Sequence, residues 1–84
     1  MERPQLEFPL QWEFKIIAVR TDEAFAAIRA VLGEHGFTDT PRASNVSRNG
    51  SYVTYTASLR IKNREQLDAV TQALGKCEGV RYLL

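Results

Sequence analysis

Few residues of this chain can do chemistry, and their spacing limits what that chemistry could be. Among 84 residues there is one histidine, His35, and one cysteine, Cys77. A general acid or base needs an orienting partner and a cleft. His35 falls instead at the expected end of the first helix, where an imidazole meets free carbonyls and partial negative charge. Cys77 precedes the last strand with no second cysteine, so metal-ligand and redox spacing are absent. Arg20, beside a helix start at Thr21, offers an anion a cation and free amides, but Asp22 and Glu23 in the same turn oppose one and no glycine-rich cradle is present. From Thr40 to Arg64 the chain carries Arg42, Arg48, Arg60, Lys62 and Arg64 and no acid, the composition of a surface that neutralises phosphates. The expectation is a protein with no catalytic residue, cofactor or metal, for which nucleic-acid binding through the basic 40–64 hairpin region is the alternative.

The elements that must position these residues belong to one domain, 1–84, because a chain of this length builds a single core. The hydrophobic fraction of 44% and charged fraction of 25% are those of a soluble globule. A net charge of +1 supplies no global pull toward nucleic acid or membrane. A lone cysteine and a start without an apolar leader predict a reduced, cytoplasmic protein with no membrane span.

Residues 1–10, with two prolines, read as an extended arm that Leu6 and Phe8 pin to the body. Trp12 to Val19 alternates Phe14, Ile16 and Ala18 against Glu13, Lys15, Ile17 and Val19, which predicts a central strand. Thr21 caps a helix whose stripe is Phe25, Ile28 and Leu32, widened by Ala24 and Val31, and which ends near 33–36. Asn49-Gly50 predicts a two-residue type I′ hairpin with both residues at positive φ. That turn sets Ser47 opposite Tyr52, Val46 opposite Val53, Asn45 opposite Thr54 and Ser44 opposite Tyr55. Asn63 with Gln66 forms a capping box for a second helix with the stripe Leu67, Val70 and Leu74, ending at Gly75. In the terminal strand, alternation puts Val80, Tyr82 and Leu84 on one face and Arg81 and Leu83 on the other.

The order β-α-β-β-α-β with right-handed crossovers predicts an α+β ferredoxin-like plait, a four-stranded antiparallel sheet of order 4-1-3-2 with two helices on one face. The face without helices is then assigned Lys15, Ile17, Asn45, Tyr52, Thr54, Thr56, Ser58, Arg60, Arg81 and Leu83. The interaction candidates are Lys15, Tyr52, Thr54, Thr56 and Arg60, with Arg48 at the hairpin tip. RNA-recognition sheets carry aromatic platforms on central strands, whereas Tyr52 stands alone on this assignment, so nucleic acid is the lesser expectation.

Several segments resemble the YbeD-like family of small bacterial proteins. They are Leu6-Glu7-Phe8-Pro9, Phe14-Lys15, Ser47-Arg48-Asn49-Gly50-Ser51-Tyr52, Arg64-Glu65-Gln66-Leu67 and Val80-Arg81-Tyr82-Leu83-Leu84. At the tip this chain has Asn49-Gly50 where the family usually has a basic residue and glycine. The resemblance implies a ferredoxin-like fold of the ACT type, found in small regulatory domains, and a regulatory role linked to lipoate metabolism. It also implies a protein partner or self-association through the open sheet face or edge, with a small-molecule effector as a further option. Effector sites of that class use a glycine or asparagine in the loop after the first strand, where this chain has Arg20 and Thr21.

Overall fold

A computed structural model of the chain describes residues 6–84. The elements are β1 (Leu10–Val19), α1 (Asp22–Glu34), β2 (Arg42–Val46), β3 (Tyr52–Ile61), α2 (Arg64–Gly75) and β4 (Val80–Leu83). They form one antiparallel sheet in the order β2-β3-β1-β4, which is the expected 4-1-3-2 read from the other edge. The two long strands are central and pair continuously from Leu10 opposite Ile61 to Val19 opposite Tyr52.

The core lies between the helices and one face of the sheet. Phe14, Ile16 and Ala18 from β1 and Val53, Tyr55, Ala57, Leu59 and Ile61 from β3 are buried against Ala24, Ile28 and Leu32 of α1 and Leu67, Val70 and Leu74 of α2. Each fully buried Leu or Ile among them contributes about 1.5–3 kcal/mol. Phe25 and Val31 are only partly buried on this core, and Phe25 meets Tyr55 with ring centroids 5.3 Å apart. Of the proposed anchors of the arm, Phe8 packs on the core and Leu6 is exposed. Residues 1–5 of that arm lie outside the described residues.

Both helices start where their caps require. Thr21 Oγ1 accepts from the Ala24 amide at 3.1 Å, and Asn63 Oδ1 accepts from the Gln66 amide at 2.8 Å. The return bond of the second cap differs from the expected box: Gln66 Oε1 accepts from the Lys62 amide at 2.7 Å, one residue before the cap. At the end of α1 the Phe37 amide donates to Leu32 O at 2.9 Å, which satisfies a free carbonyl and turns Phe37 into the core.

Three local expectations are corrected. The hairpin keeps the expected pairing of Ser47 with Tyr52, Val46 with Val53 and Asn45 with Thr54, but its turn is not type I′. In the hairpin Gly50 alone has positive φ, +77°, and the Gly50 amide donates to Ser47 O at 2.9 Å, so a turn over 47–50 ends on one left-handed residue. Asn49 works through its side chain, whose Oδ1 accepts from Ser47 Oγ at 3.0 Å and from the Ser51 amide at 3.1 Å.

Second, Ala43 and not Ser44 lies opposite Tyr55, because Ser44 bulges from β2 and donates its hydroxyl to Thr54 O at 3.1 Å. Third, β4 is not one unbroken alternation. Val80 pairs with Ala18 but Tyr82 with Ile17 and Leu83 with Ile16, leaving Arg81 as a bulge. Leu83 therefore packs toward the core, while Tyr82 turns to the open face.

Candidate functional site

The open face is a set of cross-strand rows, since directly paired residues share a face of the sheet. The row nearest the hairpin tip holds Val19 and Tyr52, and Ser47 closes it. Next comes Tyr82, Ile17, Thr54 and Asn45. The third row is Leu84, Lys15, Thr56 and Arg42, with Leu84 joined to β1 by reciprocal backbone bonds to Lys15 of 3.0 and 2.8 Å. Glu13 with Ser58 and Gln11 with Arg60 complete the face.

Of the candidates read from the sequence, the fold brings together Lys15, Tyr52, Thr54 and Thr56. Lys15 is held in place: its Nζ donates to Thr56 Oγ1 at 3.1 Å and lies 3.6 Å from Glu13 Oε1. Arg60 is on the same face but at its far end, two rows beyond Lys15. Arg48 belongs to the hairpin turn and not to the face. Arg81 lines the groove described below from its bulge, and Leu83 leaves the face altogether.

Two residues were missed. Tyr82 is 67% exposed and Leu84 74% exposed, and both sit on the open face next to Ile17 and Lys15. Their signal was hidden because it depends on the bulge at Arg81 and not on local alternation. With Tyr82 on one side and Tyr52 and Asn45 on the other, the middle of the face forms an open groove of about 560 Å³ floored by Ile17 and Thr54.

Charge is segregated in a way the near-zero total conceals. The strands carry Lys15, Arg42, Arg60 and Arg81 against Glu13 alone. The helices carry Asp22, Glu23, Glu34, Glu65 and Asp68 against Arg29 and Arg64. Charged strand residues are kept out of the core, since no charged or polar residue is buried among those described.

The other reactive groups stand apart. His35 is the C-cap of α1, its amide donating to Val31 O and Leu32 O at 3.2 Å and its carbonyl accepting from Gln66 Nε2 at 3.5 Å. Burial pushes the Cys77 thiol above its ordinary value, and the Glu78 carboxylate adds to the shift. That makes the thiolate scarcer, the reverse of what an activated cysteine needs. No grouping of three metal-ligating side chains occurs among the described residues, and none of their helices is long and apolar enough to cross a membrane. Arg20 follows β1, its amide donating to Ser51 O at 2.9 Å, so the loop that would hold an effector is tied to the hairpin.

Comparison with known proteins gives relatives of the same extent. Residues 3–84 match the family described as "Protein of unknown function (DUF493)". A UPF0250 protein of Shewanella loihica is 29% identical over 94% of this chain and 90% of its own length. A UPF0250 protein of Nitrosomonas europaea is 28% identical over 99% of this chain and 98% of its own. In three dimensions the chain is similar to the solution structure of protein HP0495 from Helicobacter pylori, with a TM-score of 0.86 at 17% identity, over 99% of this chain and 89% of that one. That likeness shows the fold.

Proposed function

The chain belongs to the DUF493 family, and we propose that it is a non-catalytic regulatory module that works by binding another protein through the open face of its sheet. The observation that carries this reading is the placement of Tyr82 and Leu84, largely exposed, beside half-buried Ile17 on a face that no helix covers. Large apolar side chains gathered on one surface mark interaction sites more often than isolated ones do. The scarcity of groups able to do chemistry supports the same reading: His35 serves a helix end, and the Cys77 thiol is shifted away from reactivity. The likeness to YbeD-like proteins makes lipoate metabolism the regulated process to test first, in a cytoplasmic setting.

The test is a capture experiment from native lysate paired with a thermal melt. Thr54→Glu combined with Thr56→Glu places two carboxylates at the centre of the face, where surface substitutions change stability by about ±0.5 kcal/mol. The double variant should melt like the parent and lose its partner. The pair His35→Gln and Cys77→Ser should keep both partner and cellular phenotype. A folded His35/Cys77 variant without activity in the cell would overturn the non-catalytic reading.

A further inference from the structure

We propose that the partner segment held by the open face is an acidic, extended stretch of protein with an apolar anchor, seated across the strands between Arg81 and Arg42. The proposal rests on the reading of the open face as a protein-binding surface and names the chemistry of what it binds. Its basis is the combination of shape and charge. Ile17 forms the floor of the groove, Tyr82 and Tyr52 flank it, Arg81 lines its β4 side and Arg42 lies beyond it on the β2 side.

Arg81 borders the groove on the β4 side, and Arg42 lies one row further along on β2. Neither has an ion-pair partner among the described residues, whereas Lys15 is already engaged with Glu13 and Thr56. Four adjacent strands span roughly 14 Å from the first to the last at about 4.8 Å each, a distance that four or five extended residues cover at about 3.3 Å each. A short segment with a Leu or Phe at its centre and carboxylates at its ends therefore matches the site: the side chain enters between the tyrosines and the carboxylates reach the guanidinium groups, which donate to them bidentately.

Two other occupants fit less well. A second copy related by a two-fold axis would bring the same basic face against itself, with Arg42 and Arg81 facing cations. Head-to-tail stacking of the acidic helices of one copy on the sheet of the next would satisfy charge but is a heterologous contact that extends without closing. Single-stranded nucleic acid would satisfy charge too, but it needs aromatic faces on which successive bases stack. Here the tyrosines stand on either side of β1, roughly 12 Å apart between Cα atoms by strand spacing, with Ile17 between them. They are walls of one groove and not neighbouring platforms.

The experiment uses the full chain and three labelled probes of equal length, followed by fluorescence anisotropy. One is a decapeptide of alternating glutamate and leucine with a central phenylalanine, the second the same peptide with lysine for glutamate, and the third a single-stranded oligodeoxythymidine. The acidic peptide should bind at least about tenfold tighter than either of the others, and its affinity should fall as salt rises. Arg42→Glu with Arg81→Glu should weaken it about tenfold or more, and so should Tyr82→Ser, while circular dichroism and the melting temperature stay those of the parent. Equal binding of the lysine peptide would overturn the charge argument, and tighter oligonucleotide binding would assign the face to nucleic acid. A stable homodimer by light scattering, abolished by Tyr82→Ser, would give the face to a second copy. Failure of the acidic peptide together with partner loss in Tyr82→Ser would refute the acidic segment and leave the protein-binding face standing. Retained partner capture by both Tyr82→Ser and the Thr54/Thr56 double variant would remove the face itself.

Discussion

Gly79 joins α2 to β4 at φ +87°, and its position permits a stability prediction with an internal control. A Cβ built there would lie 2.7 Å from Ala24 Cβ, 3.0 Å from Val19 Cγ2 and 3.5 Å from Ala24 Cα. None of these neighbours is the free end of a long side chain. Ala24 is 3% exposed in the first turn of α1, and Val19 is held in β1 by the bond from its amide to Gly79 O at 2.8 Å. Gly79→Ala thus incurs two penalties. The left-handed backbone costs an alanine about 1–2 kcal/mol, and forcing a methyl into a filled site costs about 1–3 kcal/mol, so roughly 2–5 kcal/mol in all. For a domain of this size, at about 4–8 °C per kcal/mol, the melting temperature should drop by roughly 8–40 °C.

Gly50→Ala supplies the control, because Gly50 has nearly the same φ, +77°, yet its added Cβ would meet only Arg20 Nη1 at the ordinary distance of 3.5 Å. It should cost only the backbone penalty, about 1–2 kcal/mol. Urea unfolding followed by the fluorescence of Trp12 measures both, and the difference between the variants isolates the steric part. Ala24→Gly in the Gly79→Ala background should recover part of the loss, less the roughly 1 kcal/mol that glycine costs a helix. Equal losses in Gly79→Ala and Gly50→Ala, or no recovery with Ala24→Gly, would refute the packing argument.

Asn63→Ala removes the acceptor for the Gln66 amide and should cost about 1 kcal/mol in the same urea assay. Asn49→Ala deletes an acceptor that serves Ser47 Oγ and the Ser51 amide at the hairpin tip; the loss should be about 0.5–1.5 kcal/mol, with amide exchange accelerated at Ser51 and Tyr52 and unchanged in α2. The raised Cys77 thiol means that the folded chain holds this proton to higher pH than the unfolded chain does. Its contribution is complete below the unfolded thiol's value and declines as pH rises through the folded one, so Cys77→Ser should flatten the fall of the urea midpoint above about pH 8.5 and leave it unchanged at neutral pH. Alkylation of Cys77 should likewise be slower in the folded chain than in urea, and equal rates would contradict the shift.

What the sequence disclosed and what it withheld divide along the range of the interactions concerned. Helix starts, stripes and the central strands are set by neighbours within a few residues: Thr21, Asn63, and the alternation Phe14, Ile16, Ala18 all stand as expected. The hairpin pairing was legible for the same reason, although its turn type was not, because the side chain of Asn49 completes the tip from a negative φ. The start of β1 at Leu10, two residues before the expected Trp12, also depends on a partner, the β3 end at Arg60 and Ile61.

The candidate site was only half legible, because it is built on a count that no local pattern contains. Between the bond from the Val19 amide to Gly79 O and the reciprocal bonds of Lys15 with Leu84, β1 runs over residues 15–19 while the opposing chain runs over 79–84. The second span is one residue longer, and Arg81 is the surplus. That bulge lets Val80 and Leu83, an odd number of residues apart, both pack toward the core, which strict alternation forbids. The same shift exposes Tyr82 and Leu84 on the open face and places Arg81 beside the groove. Core packing and the binding surface are therefore coupled: the register that buries two apolar residues of β4 also presents two others to a partner. Deleting Arg81 would remove the surplus residue and keep Val80 opposite Ala18, Tyr82 opposite Ile17, Leu83 opposite Ile16 and Leu84 bonded to Lys15, so both faces of the sheet should persist and only the guanidinium beside the groove should be lost.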